Sequence, residues 1–478
     1  MNRTFFSQKR LFGISIAFIF CAVSLTSFYR LSESPPTWTD EGLIVQTSQN
    51  LVGQGVYGFQ IAPNTLISPS FISTSYPVTF PIALSFSIFG ISLLHARIVM
   101  AIYIMLLFVS VFLLFKNKIK EQLIWALLLL GSFPPLYGHG KNVLGEVPGL
   151  FFMLTSAFFL RQIEENKEKT VNWVCFGLFF GLAVATKPIF ILALPAFVFV
   201  FYMLYRGGNI SLEKFKILLI FSALPPIIWL LVQFFQTDSW TSVLHYYGNP
   251  HSVNILEAVL LNIKDFVSNI RTLFAGGIFI LWSMVLGYSY YKKKSVPLYE
   301  LYLYIFSLFV FVIYFRNPPY YRYFFLAEVL SLVFLPWNLF SIFNDKRWQK
   351  NLLRVVLLGL FIFQYHQLFY SSWVANAFES KKTADMEQII GALTPEKEVF
   401  FYQAPEAVIF LKHYNYYQYF SGTITTYFGE ENLAHIYMNE DLLVITRGDL
   451  FLKETELFAG YHVIKDFNGY VFAEKKSI

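Results

Sequence analysis

The sequence predicts a polytopic α-helical membrane protein, with about eleven transmembrane helices and a small α/β domain outside the membrane at its C-terminal end. Three observations carry this. Of 478 residues, 56% are hydrophobic and only 14% are charged, where a soluble domain carries about 25% charged residues. The apolar residues fall in runs of membrane-spanning length, about 20 residues each. After about residue 370 the composition turns to mixed charge and alternating patterns.

Eleven apolar stretches qualify as spans, at roughly 11–29, 96–115, 122–138, 148–160, 171–186, 189–205, 217–235, 273–291, 298–315, 323–342 and 352–370. The fourth and fifth are short. The basic start, Met1 to Arg10, ahead of Leu11 to Phe28 resembles a signal peptide, but no small-residue cleavage site follows, so it reads as an uncleaved first helix. Alternation of eleven spans places the N-terminus inside and the C-terminal tail outside. Lys and Arg concentrate in cytoplasmic loops. The segments Asn2–Arg10, Lys116–Lys120, Arg161–Lys169, Arg206–Lys216, Tyr291–Lys294 and Asp345–Lys350 each carry at least two of them, and all fall on the inner side. The net charge of +6 thus reflects membrane orientation, and no nucleic-acid partner is expected. The expected location is the plasma or inner membrane.

The first outer loop, Arg30 to His95, is long. Glu41 to Leu51 has helical spacing suited to the interface plane. Pro77 to Gly90 is apolar but short and carries Pro81, which suits a juxtamembrane helix rather than a span. A second outer loop, Gln236 to Arg271, holds His245 and His251, read as ordinary loop histidines, then an amphipathic Ile255 to Ile270. This gives two domains, 1–370 in the membrane and 371–478 outside it. In the second, Glu398 to Gln403 and Asp441 to Thr446 read as strands. Pro405 to Tyr414 and Glu430 to Met438 read as helices, and Tyr461 to Asp466 with Tyr470 to Glu474 as a hairpin around Asn468-Gly469. Cys21 and Cys175 lie inside apolar runs, so neither a disulfide nor a metal cluster is expected.

The charged residues assigned to the outer face gather from distant segments. Asp40 and Glu41 follow the first span within Trp38-Thr39-Asp40-Glu41-Gly42. Glu146 follows the third, Lys187 sits in Thr186-Lys187-Pro188, and Arg97 opens the second. Arg316 and Arg322 bracket Asn317-Pro318-Pro319-Tyr320-Tyr321. A carboxylate there can take a proton from a hydroxyl, and Lys or Arg can hold a phosphate. Each residue also has a plainer reading: Asp40 or Glu41 as a helix cap, Glu146 as a solvated loop acid, Lys187 as a snorkelling side chain, Arg97 as half of a structural pair.

Several of these stretches resemble those of the GT-C membrane glycosyltransferases, in particular the protein O-mannosyltransferase and lipid A aminoarabinose transferase group. They are Trp38-Thr39-Asp40-Glu41 with Gly53-Gln54-Gly55, then Phe89-Gly90-Ile91-Ser92 with Ala96-Arg97, then Glu146-Val147-Pro148, Thr186-Lys187-Pro188 and Arg322-Tyr323, in that order across residues 11–340. The resemblance implies a sugar transferase whose donor is a sugar on a polyprenyl phosphate and whose acceptor is a hydroxyl on a lipid, glycan or protein. It implies Asp40 as general base or as the group that positions the acceptor hydroxyl, Glu41 as an orienting or capping residue, and Glu146 as a second acid near the acceptor. Lys187 would bind the donor phosphate, helped by Arg322, Tyr323 and Arg97. The chain departs from the pattern in having Ser75-Tyr76-Pro77-Val78 late in the first loop and Glu at the second acidic position. With no acid in Tyr76–Pro81, no metal and no other cofactor is expected. The rival class is a transporter or flippase, which predicts ionisable residues near mid-membrane and repeated halves.

Overall fold

The computed structural model describes residues 3–116, 120–166, 169–207, 210–235, 240–241, 254–292, 294–343, 346–420 and 442–475. Helices dominate up to residue 390, and a sheet follows. Among the described residues, seven helical segments are long and apolar enough to cross a membrane: Arg10–Phe28, Leu93–Phe115, Pro188–Arg206, Leu212–Phe234, Ile270–Tyr291, Tyr321–Ile342 and a stretch within Arg347–Ile390. Each corresponds to one of the eleven expected stretches. Two more expected spans form the shorter apolar helices Thr170–Thr186 and Leu298–Tyr314. The remaining two differ from expectation. The stretch 122–138 is broken at Pro134-Pro135 into the helices Lys120–Gly131 and Pro134–Gly140, because proline lacks the amide that a helix interior needs and suits the first turn of a new helix. The stretch 148–160 sits within the longer helix Glu146–Glu165, which carries Glu146 in its first turn and Arg161, Glu164 and Glu165 in its last turns.

Local signals account for many helix starts. The Ser92 hydroxyl accepts from the His95 amide and opens Leu93–Phe115, Ser211 caps Leu212–Phe234 through the Lys214 amide, and Asn254 caps Ile255–Ser268 through the Leu256 amide. The Tyr76–Phe89 helix is 14 residues long and two-sided. Phe80, Leu84 and Ile88 form an exposed stripe, while Val78, Ile82 and Phe86 are buried. The Ile255–Ser268 helix likewise exposes Ile255, Leu256, Ile263 and Val267. Both exposed stripes suit contact with lipid. The Tyr321–Ile342 helix is buried almost throughout and stands at the centre of the bundle. Trp282 stacks on Phe334 at 4.7 Å, and Phe115 stacks on Trp337 at 4.0 Å.

The helix α2 (Thr39–Gln54) corrects one expectation. It does not lie in an interface plane, since Glu41 through Asn50 are all buried. One side packs on the Tyr76–Phe89 helix and the other on the C-terminal domain. The reason is polar matching. Gln46 Nε2 donates to the Pro405 carbonyl at 2.9 Å, Gln60 Nε2 to that of Tyr414 at 2.8 Å, and Gln418 Nε2 to Gln46 Oε1 at 2.8 Å. Gly42 lets the two backbones meet: a Cβ there would lie 2.5 Å from Glu406 Cα.

Beyond a short antiparallel pair, β1 (Phe59–Ala62) and β2 (Thr65–Ile67), the C-terminal sheet has among the described residues five strands, β3 (Val399–Tyr402), β4 (Tyr416–Tyr419), β5 (Leu443–Arg447), β6 (Tyr461–Phe467) and β7 (Tyr470–Lys475), in the order β4-β3-β5-β7-β6. Strands β3, β4 and β5 run parallel, and β7 pairs antiparallel with both β5 and β6. The expected hairpin is present, turning on Asn468 and Gly469, both with positive φ. The expected helix after Pro405 is a single turn, Pro405–Val408, and β4 follows where the sequence reading had none. The expected helix Glu430 to Met438 and the histidines His245 and His251 lie outside the described residues.

Candidate functional site

Two adjacent acids on α2 point to different surroundings, because successive residues on a helix face directions about 100° apart. Asp40 faces a cavity and is 39% exposed, while Glu41 is fully enclosed. Neither caps the helix through its side chain, since Trp38 occupies the cap position and accepts no such bond.

Asp40 belongs to a four-residue chain of charges. Arg322 Nη1 donates to Asp40 Oδ2 at 2.6 Å, and Arg322 Nε to Glu146 Oε1 at 2.5 Å. Lys187 Nζ donates to the same Glu146 oxygen at 2.7 Å. The Trp38 ring lies over the Arg322 guanidinium at 5.1 Å, a favourable cation–π arrangement. The four residues come from α2, the start of Glu146–Glu165, the break between Thr186 and Pro188, and the first turn of Tyr321–Ile342. That break is held by a backbone bond from the Ser75 amide to the Thr186 carbonyl at 3.1 Å.

Burial opposes the Glu146 charge, yet Arg322 and Lys187 outweigh it and hold the carboxyl far below the usual carboxylate range. Burial, with Arg322 beside it, pulls Lys187 below the ordinary lysine value, against the opposing effect of Glu146 and Asp40. Glu146 therefore sits as an anion between two cations. Its second oxygen, Oε2, is buried and has no hydrogen-bond partner among the described residues.

The cavity these groups border has a volume of about 860 Å³, enough for a small ligand. Asp40, Lys187, Arg322 and Tyr323 line it, together with Arg271, Arg316, Asn269, His139 and Trp373. Arg271 and Arg316 are exposed. The sequence reading named Arg316 among the outer-face charges and Arg271 as the end of the second outer loop, and gave neither a role. It gave no role to His139, Tyr321 or Trp373, which carry no local motif.

Glu41 and Arg97 are placed differently from the other expected site residues. Arg97 is fully buried and grips Glu41 with two bonds, Nε to Oε1 at 2.9 Å and Nη2 to Oε2 at 2.7 Å. It also donates to Asn142 Oδ1 at 3.2 Å and to the Leu31 carbonyl at 3.2 Å, and the Val143 amide donates to Glu41 at 3.0 Å. The pair binds α2 to the Leu93–Phe115 helix and to the 142–143 loop, and neither side chain lines the cavity. Arg97 is thus not positioned to hold a donor phosphate. No group of three or more His, Cys, Asp and Glu side chains comes together among the described residues.

Residues 76–232 match a family model described as dolichyl-phosphate-mannose-protein mannosyltransferase. No curated protein sequence matches the chain. Among solved structures, ArnT from Cupriavidus metallidurans bound to undecaprenyl phosphate aligns with a TM-score of 0.62 at 12% identity, covering 96% of this chain and 97% of ArnT. The Archaeoglobus fulgidus oligosaccharyltransferase in its apo form aligns with a TM-score of 0.56 at 13% identity, covering 93% of this chain and 71% of that one. The archaeal oligosaccharyltransferase AglB from the same organism, in complex with an inhibitory peptide and a dolichol-phosphate, gives 0.54 at 14%, covering 98% and 75%. The chain is an integral membrane protein with the GT-C fold of membrane glycosyltransferases. By the match over residues 76–232 and by the fold of ArnT, it resembles the protein O-mannosyltransferase and aminoarabinose transferase group.

Proposed function

We propose that this chain transfers a sugar from a polyprenyl-phosphate donor to an acceptor hydroxyl at the extracytoplasmic face, with inversion at the anomeric carbon. The observation that carries this reading is one cavity bordered by a half-exposed carboxylate, Asp40, and by four cations, Lys187, Arg271, Arg316 and Arg322. The family match over 76–232 and the lipid-phosphate complexes of ArnT and AglB support it.

In this reading Asp40 takes the proton from the acceptor hydroxyl as its oxygen attacks the anomeric carbon. The glycosidic C–O bond to phosphate breaks on the opposite side, and the electron pair leaves with the polyprenyl phosphate. Lys187 and the arginines stabilise the charge that builds there. Arg322 bridges the two halves of the reaction, since it touches Asp40 directly and Lys187 through Glu146. The bond from Arg322 fixes the direction of the Asp40 carboxylate, as a general base needs. Glu146, with Oε2 unpartnered, keeps both cations in place. Tyr323 lines the same cavity as an uncharged contact for the donor. The six basic segments read from the sequence support a cytoplasmic N-terminus and, with it, an extracytoplasmic cavity and C-terminal domain.

The test uses purified protein in detergent with a panel of labelled polyprenyl-phosphate sugars and measures release of free polyprenyl phosphate. Wild type should turn over at least one donor, Asp40→Asn should bind that donor without turnover, and Lys187→Ala should bind it weakly. Donor bound by wild type with no turnover, and Asp40→Asn behaving identically, would instead identify a carrier.

A further inference from the structure

One wall of the cavity is aromatic. His139 is 92% buried against its neighbours, with its ring 6.3 Å from that of Tyr321 at 26°, 5.5 Å from that of Trp373 and 5.3 Å from that of Phe325. His139, Tyr321 and Trp373 all line the cavity. This contact depends on Gly138, because a Cβ there would lie 2.1 Å from Trp373 Cη2. Trp373 opens the short helix that follows the last long apolar stretch, so the segment leading to the C-terminal domain contributes directly to the cavity. His139 Nε2 is buried and has no hydrogen-bond partner among the described residues, an arrangement that is costly unless a ligand or water completes it.

The charges around this wall are one-sided. Lys187, Arg271, Arg316 and Arg322 line the cavity, Asp40 is the carboxylate that lines it, and Glu146 lies behind Lys187 and Arg322. Asp40 and Glu146 already accept from these cations. Glu328 stands behind Tyr321, whose hydroxyl donates to it, and does not line the cavity. A phosphodiester brings one further negative charge. Set against four cations, that charge with Asp40 and Glu146 leaves the cavity positive. Burial holds the His139 imidazole down to about 4, so it is neutral at ordinary pH and offers one donor and one acceptor.

We propose that the wall of His139, Tyr321 and Trp373 receives the transferred sugar and selects an uncharged, hydroxyl-bearing sugar over an amino sugar. This rests on the polyprenyl-phosphate reading above. Aromatic faces carry partial negative charge and pack on the C–H faces of a sugar ring. A neutral imidazole can bond a hydroxyl in either sense. An ammonium would meet four cations, and the two carboxylates near it, Asp40 and Glu146, already pair with Arg322 and Lys187, so its desolvation would go largely uncompensated.

The experiment compares two synthetic donors on the same polyprenyl phosphate, a neutral hexose and its 2-amino-2-deoxy analogue, using full-length protein in detergent. Bare polyprenyl phosphate serves as a separate binding probe. The neutral donor should show a kcat/KM at least about tenfold higher at neutral pH. That advantage should shrink as pH rises past the sugar amine's pKa, a change that a purely steric preference would not show. His139→Ala and Trp373→Ala should each raise KM for the neutral donor about tenfold, with binding of bare polyprenyl phosphate unchanged, and His139→Gln should recover part of the loss. Equal or better use of the amino donor overturns the proposal, and so does a parallel loss of bare lipid-phosphate binding in both alanine variants. Failure of wild type to bind bare polyprenyl phosphate overturns the underlying transferase reading, and this selectivity with it.

Discussion

Asp40 and Glu41 are neighbours in sequence, share a helical turn, and each pairs with an arginine from another helix. Asp40 with Arg322 borders a cavity, at 39% and 17% exposure, whereas Glu41 with Arg97 is sealed at 0% and 0%. The first pair is incomplete by itself, since Arg322 divides its donors between Asp40 and Glu146. The second is complete, because carboxylate and guanidinium meet two bonds to two bonds, and the surplus donors reach Asn142 and Leu31. Burial therefore separates chemistry from architecture where residue type does not. A carboxylate open to a cavity can exchange a proton with a substrate, while one sealed against arginine can only fix the elements that hold it.

The sharpest way to break this comparison is to neutralise each acid. Asp40→Asn should lower turnover by about 10²–10⁴-fold with its melting temperature in detergent little changed. Glu41→Gln should do the reverse, because it strands the buried Arg97 at a cost of about 3–5 kcal/mol and so lowers the melting temperature and the folded yield. If Glu41→Gln folds normally and loses turnover, the two roles have been assigned the wrong way round. A weaker effect is expected at Lys187. Lys187→Ala should weaken binding of bare polyprenyl phosphate by about 2 kcal/mol or more, measured by titration, since it removes a buried cation whose partner Glu146 is retained.

Smaller again is Gly42→Ala, which pushes a methyl against Glu406 and should cost about 1–3 kcal/mol. Faster proteolytic release of the C-terminal domain, with the helical part intact, would report it. A pH-dependent effect is expected at Lys141, whose ammonium donates to the Tyr29 carbonyl at 2.6 Å. Burial, with Arg97 and Arg30 nearby, lowers it from 10.5 to about 7. Between those values the unfolded chain binds a proton that the folded chain does not, so stability should rise with pH across that window and be flat below it. Lys141→Met should flatten the slope of melting temperature against pH, and an unchanged slope would show that another group sets it.

The membrane class was legible in the sequence because spanning helices require long apolar runs, and those runs depend on nothing but local composition. The hairpin on Asn468-Gly469 was legible for a similar local reason, because its turn demands positive φ at both residues. Asp40, Glu146, Lys187 and Arg322 were picked out as candidates by their sidedness and by the family resemblance. Their union around a single arginine was not visible, nor was the separate sealing of Glu41 with Arg97. No spacing along the chain encodes contacts 282 and 56 residues apart. The buried placement of α2 was missed because its polar Gln46 looks solvent-facing until the C-terminal domain supplies the Pro405 carbonyl and Gln418.

The sequence by itself determined that this chain crosses a membrane repeatedly and where several of its helices begin. Those properties follow from hydropathy and capping, which act over a few residues. Only the tertiary structure decided which acid meets the cavity, which arginine serves structure, and that His139, Tyr321 and Trp373 share one wall. Those outcomes turn on burial and on distances of a few ångströms between distant segments, and Coulombic and hydrogen-bond strengths are set by that surrounding medium rather than by residue type.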